Sequence, residues 1–389
     1  MNAQEGIALN IVFIGLASYY SHGMAYQDNE LCRQTLADGH RVTYISHPET
    51  HVDGVLTDTG AEDTVLPDGL HLIRLPYCKV GLDVITKKFR KFKGICPILE
   101  AEQPDVIFCH NTQFWSILDV IRYKKAHPEV KLYADTHVAY NNSGTNWVSL
   151  HILHGLYYKW LTKKLLPHLD AYFYISDECR QFSHEVYGIP NEQMEFYPLG
   201  GTLVSDEAYA AARRKRREEL GLSDGDRLYL HSGKLIPLKR TEELLRAFSA
   251  VEDPHAVMAV IGSIPEEQTP ILLPLIEADK RIKYLGWKSG EELQEYLCAC
   301  DLYCQPGSQS ATMQNALCRR CPVMLYPHSS HKDYDWGSIL WVETQADMEA
   351  MFRSLAADPG QLAPMKQKSQ ACAEALLDYR KLAARLYIQ

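Results

Sequence analysis

The sequence predicts an α/β protein made of two doubly wound parallel sheets in series. Three observations predict it. Short apolar runs rich in Val, Ile and Tyr alternate with segments of helical period, as in a sheet flanked by helices. The alternation starts afresh after Gly225. The chain has 389 residues, 46% of them hydrophobic and 23% charged, which exceeds one typical domain and suffices for two cores.

The elements follow in order. The first strand is Asn10 to Gly15; the apolar stretch around it follows Glu5 and no Lys or Arg, so it reads as a buried strand and not as a signal peptide. Further strands are expected at Arg41 to Ser46, His71 to Leu75, Asp105 to His110, Lys131 to His137, Ala171 to Ser176 and Met194 to Gly200. Helical periods fill Trp115 to His127, Val148 to Leu165 and Glu178 to Tyr187. In the second half, strands fall at Leu228 to Ser232, Ala256 to Ile261, Ile282 to Gly286, Asp301 to Gln305 and Pro322 to Tyr326. Thr241 to Val251 is a helix with Leu244, Phe248 and Val251 on one face. The seam is expected between Gly200 and Gly225. That stretch holds the run Arg213 to Arg217, which fits a phosphate or nucleic-acid contact but, followed at once by Glu218 and Glu219, reads better as a solvated helix face.

Composition excludes several classes. Lys and Arg number 40 against 49 Asp and Glu, a net charge of -9, which argues against a protein that coats nucleic acid. No apolar run approaches the ~20 residues of a membrane-spanning helix. The eleven cysteines are spread from Cys32 to Cys372, as reduced thiols of a cytosolic protein would be. Cys298, Cys300 and Cys304 span a helix end and a strand, and Cys318 and Cys321 lie beyond a loop, so a zinc site is not expected.

Open parallel sheets bind ligands at the carboxyl ends of their strands. Gly15, His110 with Asn111, Asp135 with His137, Ser232 with Gly233 and Gly307 with Ser308 fall at such ends. Two such rims face to face would make a cleft suited to bringing a nucleotide compound to a second substrate. The strongest local signal is His231 to Arg240. Here a strand ends in Gly233, where backbone approaches closely, and Lys234 and Lys239 project from the loop before a helix. They either converge on a diphosphate or are solvated loop charges. In the second signal, Cys304 to Leu317, Pro306-Gly307 forces a turn and Ser308 to Ser310 cap a helix, with or without a ligand. The segment lacks the final Gly of a nucleophile elbow.

The order of Gly233-Lys234 to Lys239, Val260-Ile261-Gly262, Ile282 to Trp287, and Ala299-Cys300-Asp301 through Pro306-Gly307 to Cys321-Pro322-Val323 resembles the donor domain of family-4 retaining glycosyltransferases of the GT-B fold. Gly23 to Gln27, Gly39 to Thr43, Gln103 to Ile107, Ala134 to His137, Tyr174 to Ser176 and Tyr197 to Gly200 fit the acceptor-side half. The resemblance implies an acceptor-side domain over 1–203, a nucleotide-sugar domain over 204–372, and a C-terminal helix, 373–389, that crosses back. It implies that Lys234 and Lys239 grip the donor diphosphate, stabilising the charge that grows on the leaving phosphate. It places His137, with Asp135 at the same strand end, near the donor sugar; a lone strand-end histidine is also compatible with a structural role. Donor contacts are expected from Gly233, Gly307, Gln309, Ser310, Gln314 and Asn315, and acceptor contacts from Tyr26, Gln27 and Asn111.

One departure stands out. Where the family has two glutamates separated by seven residues, this chain matches Gly307 and Asn315. A neutral amide bonds a ribose hydroxyl more weakly than a carboxylate. The implied activity is metal-independent, retaining transfer of a hexose-like unit from a nucleoside diphosphate sugar to a saccharide or lipid-linked saccharide, in cell-surface polysaccharide assembly. No cofactor beyond that co-substrate is expected, and no nucleic acid. The alternatives are a sugar-nucleotide hydrolase or epimerase, and a degenerate member that binds without catalysis. Lys87 to Lys93 packs five cations around Phe89 and Phe92, and Leu156 to Leu166 mixes Tyr157, Tyr158 and Trp160 with lysines. These suit either an anionic membrane surface or core aromatics with solvated lysines, so the expected location is cytoplasmic, with peripheral contact at the inner membrane face.

Overall fold

A computed structural model describes residues 8–24, 26–52 and 55–387. Glu5 and Ala25, which entered the reading of the first strand and helix, lie outside these residues. The chain divides into two compact units, one of 1–198 with 379–389 and one of 199–378.

The first unit contains β1 (Asn10–Gly15), β2 (Arg41–Ser46), β3 (Glu49–Val52), β4 (Val55–Asp58), β5 (Glu62–Val65), β6 (His71–Arg74), β7 (Val106–Cys109), β8 (Lys131–Thr136), β9 (Ala171–Tyr174) and β10 (Met194–Phe196). Eight of them form one sheet in the order β10-β9-β8-β7-β1-β2-β6-β5, while β3 and β4 form a separate hairpin. Every pairing in the large sheet is parallel except β5 with β6. Side chains alternate across the pleat, and both faces are buried: Val12 and Ile14 enter one core with Ile107 and Leu132, Ile11 and Phe13 the other with Phe108 and Tyr133. Gly15 ends β1 where only a glycine fits, because a Cβ there would stand 1.9 Å from the Tyr44 hydroxyl oxygen. That hydroxyl donates to buried Asp28 at 2.6 Å.

The terminal helix Tyr379–Tyr387 belongs to this unit. It buries Leu382, Ala383 and Leu386 in the second core, and its Leu382 carbonyl accepts from Tyr197 at 2.8 Å. The unit boundaries fall at 198/199 and 378/379, a few residues from the expected 203/204 and 372/373. The cause is local: the Gly201 N–H donates to the Leu377 carbonyl, and Gly201 bridges Asp378, tying both ends of the second unit together.

The second unit has β11 (Arg227–Ser232), β12 (Ala256–Ile261), β13 (Ile282–Gly286), β14 (Leu302–Gln305), β15 (Val323–Leu325) and β16 (Ile339–Trp341) in one parallel sheet, ordered β13-β12-β11-β14-β15-β16. Tyr229, Met258, Val260, Leu302 and Cys304 share its core with Leu244, Phe248 and Phe352 of the covering helices.

The expectation of a solvated face for Arg213 to Arg217 holds for Arg214 and Lys215, which are exposed, and fails for the other three. On helix Asp206–Glu219, Arg216 and Arg217 are buried. Arg213 and Arg217 bind Asp301 at 2.7 and 3.2 Å, and Arg216 binds Glu295 at 2.7 Å. These three arginines pin the helix to helix Gly290–Ala299 and to the start of β14, so their charge is spent inside the unit. The expected helix over Val148 to Leu165 is wound as a π-helix over Val148–Tyr158 and as an α-helix over Lys159–Leu165.

Candidate functional site

Strand order reverses between β1 and β7 in the first unit and between β11 and β14 in the second. Each reversal leaves a crevice at the carboxyl ends of those strands, where loops diverge.

In the second unit this place is built by three loops. After β11, Gly233 takes φ 132°, and after β12, Gly262 takes φ 138°. The two glycines touch: a Cβ on Gly262 would stand 1.8 Å from the Gly233 oxygen. The chain then makes a short helical turn, Pro237–Lys239, which folds Lys239 back over Gly233; its Cε lies 3.4 Å and its Nζ 3.9 Å from where a Gly233 Cβ would be. Lys239 is half-buried, and burial lowers its pKa from the ordinary lysine value. Among the described residues no carboxylate pairs with it. A desolvated ammonium without a counter-ion is an anion site in waiting. Lys234, the other expected cation, is exposed.

Gly307, after β14, is buried beneath the same turn. A Cβ on it would meet the Leu238 oxygen at 2.2 Å and the Lys239 carbonyl carbon at 2.7 Å. A glutamate therefore cannot stand at this backbone position. The Lys239 turn fills the place where its side chain would start, and the Ser308 N–H donates to Leu238 at 2.8 Å. Gly307 keeps its carbonyl 3.2 Å from His328 Nε2. Of the other expected donor residues, Gln309 is exposed and bonds Ser330, Ser310 bonds Thr312, and Gln314 donates to the Tyr334 hydroxyl while its own carbonyl oxygen is buried without a partner. Asn315 is half-buried on helix Thr312–Cys318.

Sequence reasoning missed Gln305. It ends β14 at 1% exposure with neither its amide nitrogen nor its oxygen satisfied, two residues from Gly307. An unpaired buried amide costs ~1–3 kcal/mol. The signal available was a glutamine closing an otherwise apolar strand.

In the first unit the register of β7 against β8, Cys109 opposite Ala134, sets His110 beside Asp135. Asp135 is fully buried and serves three groups. Its Oδ2 lies 2.9 Å from His110 Nδ1, a contact too poorly aligned for a good hydrogen bond and so chiefly ionic, and 3.1 Å from His137 Nε2. Its Oδ1 accepts from the Asn111 N–H at 2.8 Å. Burial disfavours charge on both His110 and Asp135, but their mutual attraction prevails. His110 is raised to about 9, and Asp135 is held well below the usual carboxylate range by His110 and His137. Asn111, at φ 64°, accepts from the His137 N–H at 2.9 Å, and Asn142 donates to the His137 carbonyl at 2.8 Å. His137 is thus fixed at both ends, with its ring partly exposed and 4.3 Å from the His110 ring. Asn111 acts here as a brace. Tyr26 is exposed, whereas Gln27 is buried, with its amide donating to Pro198.

His110, Asp135 and His137 are also the described residues best placed to share a metal ion, their ligand atoms lying within 4.8 Å of one another. The cysteines form no such group. Cys300 and Cys321 touch at 3.1 Å as buried thiols.

A cavity of about 860 Å³ opens beside His137, bounded by Asn111, Gln113, Val138 and the π-helix. Of the aromatics singled out in the sequence, Phe89, Tyr157 and Tyr158 are packed: Phe89 stacks on Trp115 and Tyr157, and the Tyr157 and Tyr158 hydroxyls donate to the Phe89 and Lys88 carbonyls. Trp160 and Leu156 of the same stretch are exposed, as are Leu82, Val84, Trp147, Val148 and Ile152. No described helix is long and apolar enough to cross a membrane.

Comparison with known proteins agrees with this geometry. The family model for Glycosyltransferase Family 4 matches residues 23–200, and that for Glycosyl transferases group 1 matches 212–351. No curated protein sequence matches the chain. Among solved structures, Anabaena HepE in complex with UDP superposes with a TM-score of 0.66 at 14% identity, covering 97% of this chain and 98% of that one. Sucrose-phosphate synthase from Thermosynechococcus elongatus gives 0.65 at 14%, covering 97% of each. WaaG, a glycosyltransferase of lipopolysaccharide biosynthesis, gives 0.60 at 14%, covering 97% of this chain and all of the other. At such identities the likeness is one of fold. With both family models accounting for most of its length and the fold matching throughout, the chain belongs to the glycosyltransferases of the GT-B fold.

Proposed function

We propose that the protein is a metal-independent, retaining glycosyltransferase that moves a hexose-like unit from a nucleoside diphosphate sugar to a saccharide or lipid-linked saccharide acceptor. The observation that carries this reading is Lys239, half-buried over Gly233 at the strand-order reversal with no carboxylate partner among the described residues. The ammonium and the exposed backbone beside it suit a diphosphate. As the sugar–phosphate bond breaks, a preorganised cation stabilises the growing charge without a metal. Lys234 adds a second cation from the same loop. HepE, of like fold, has been solved with UDP-glucose, which makes UDP-glucose the first donor to try.

Retention follows from a front-face route in which the leaving phosphate takes the acceptor's proton, so that positioning and charge stabilisation suffice. Braced His137 would orient a hydroxyl of sugar or acceptor, with Asp135 fixing its ring; Tyr26 would face the acceptor, and Gln309, Ser310, Gln314 and Asn315 the donor. A cell-surface polysaccharide or glycolipid role, a cytoplasmic location and peripheral contact with the inner membrane face complete the reading. It rests there on the exposed apolar side chains Val84, Val148 and Ile152, which line one cavity with Lys88.

A second reading, a sugar-nucleotide binder without turnover, is favoured by one observation: Gly307 leaves no room for a carboxylate and Asn315 supplies none. Incubating the pure protein with a panel of sugar nucleotides, with and without acceptor extract and with EDTA, separates these. Acceptor-dependent release of nucleoside diphosphate supports transfer. Saturable binding without turnover supports the binder, acceptor-independent consumption indicates a hydrolase, and EDTA sensitivity refutes metal independence.

A further inference from the structure

Two histidines and an aspartate converge in the first unit, and their geometry suits more than a brace. Asp135 Oδ2 faces two nitrogens at once, His110 Nδ1 at 2.9 Å and His137 Nε2 at 3.1 Å, and one ligand atom of each residue lies within 4.8 Å of the other two. Ligands of a tetrahedral zinc, at bonds of about 2.0–2.2 Å, stand about 3.3–3.5 Å apart, so a spread of a few tenths of an ångström admits the ion. His110 is 5% exposed, and its Nδ1 makes no hydrogen bond among the described residues although the carboxylate is so near. A hydrogen bond needs the N–H aimed at the oxygen, whereas two ligands of one ion aim at the space between them. The remaining contacts hold the group as ligands are held: Asp135 Oδ1 accepts from the Asn111 N–H at 2.8 Å, which leaves Oδ2 to be shared, and Asn111 and Asn142 fix the His137 backbone.

We propose that His110, Asp135 and His137 form a zinc site that switches His137 off. Two imidazoles and one carboxylate are a ligand set that zinc takes, and three protein ligands leave its fourth position to water. The cavity that opens at His137 and Asn111 lets the ion in. Zinc coordinates only deprotonated ligands, so it takes the place of the proton between His110 and Asp135. With Nε2 on the metal, the His137 ring can no longer orient a hydroxyl; this consequence rests on the transferase reading, whereas the site itself does not. Zinc is here an inhibitor, which leaves the proposed metal independence of transfer intact.

The probe is zinc itself, titrated into EDTA-treated, desalted full-length protein in competition with a chromophoric chelator. One ion should bind per chain, and Tm should rise as zinc is added. His137→Ala, at a partly exposed ring, should weaken zinc at least ~100-fold, since losing even an outer partner of a metal ligand costs about 10- to 100-fold. His110→Gln, which leaves the His137 ring in place, should weaken it as much. Cobalt in place of zinc should give the visible absorption of a tetrahedral centre without thiolate charge transfer, which separates this site from the buried cysteines. No saturable zinc binding, unchanged affinity in both histidine variants, or thiolate bands on cobalt overturns the proposal. With a sugar nucleotide that supports turnover, rates should fall as zinc saturates and recover with EDTA. Full turnover with zinc bound overturns the switch. No turnover under any condition, with zinc binding intact, sinks the transferase reading and leaves the metal site standing.

Discussion

Replacing Lys239 by Met keeps the aliphatic stem over Gly233 and removes only the charge. A phosphate oxygen ~4 Å from Nζ feels ~4 kcal/mol of attraction at an effective dielectric near 20. Removing one preorganised charge-stabilising donor costs a comparable ~3–4 kcal/mol of barrier. Turnover should therefore fall 10²- to 10³-fold, and UDP should bind more weakly. The folded state should lose nothing, because no carboxylate among the described residues is orphaned by the change and burial already disfavours the ammonium. The assay is initial-rate release of UDP from the sugar nucleotide that supports turnover, with UDP affinity by calorimetry and Tm by differential scanning. Lys239→Arg, which keeps the charge on a longer fork, should fall between. Turnover within threefold of the parent, with UDP affinity unchanged, would refute the role given to this lysine. A drop in Tm of many degrees would instead show that the ammonium is a structural partner.

Three further outcomes are expected. Stability should have both an acid and an alkaline limb. His47, His154 and His231 are buried with pKa values lowered to about 4, so each must gain a proton on unfolding below its ordinary 6.5; stability should rise between about pH 4 and 6.5, by on the order of 3 kcal/mol per histidine at most. His110 is raised to about 9, so the stability it contributes below 6.5 should fade as pH climbs through 9; urea midpoints across pH 4 to 10 would show whether both limbs exist. Asp135→Asn leaves His110 without its anion, so it should cost ~3–5 kcal/mol, abolish the alkaline limb and reduce turnover; an unchanged urea midpoint would remove Asp135 from the brace of His137. Gly262→Ala should destabilise by ~3 kcal/mol or more, since its Cβ would collide with the Gly233 backbone at positive φ, whereas Gly307→Ala should push the Lys239 turn aside and weaken UDP more than it lowers Tm.

The main strands were legible because a strand buried on both faces is a near-continuous apolar run, as in β1 and β12. β3, β4 and β5 were not, because Glu-Thr-His-Val, Val-Leu-Thr-Asp and Glu-Asp-Thr-Val carry too little apolar side chain to stand out from a loop. The arginine run was misread since its acidic partners, Glu295 and Asp301, lie some 80 residues along the chain and only tertiary packing delivers them. Lys239 could be singled out because glycine, loop and lysine are contiguous. The convergence of His110, Asn111 and His137 on Asp135 could not, because it depends on which residue of β7 lies opposite which residue of β8. The π-helix hid its own exposed face: with its longer repeat, Val148, Ile152 and Leu156 stay outside while Tyr157 and Tyr158 turn inward.

At the candidate donor site several polar groups are left unanswered close together. Arg213, Arg216 and Arg217 are as costly to bury as any side chain, yet each has its carboxylate, so they hold helices together and are chemically inert. Asp135 likewise is fully answered, and its effect is to fix two imidazoles. Among the described residues Lys239 has no counter-ion, Gln305 has no partner for either polar atom, and the Gln314 oxygen has none. These three belong to the loop after β11, the end of β14 and the helix that follows, which meet where the strand order of the second sheet reverses. Leaving such groups unpaired lowers the stability of the empty protein, and a fold retains that cost where a ligand removes it. Position 307, packed against the backbone of Leu238 and Lys239, offers no carboxylate. With glycine there and the turn packed on top, the ammonium keeps its full charge for an incoming anion.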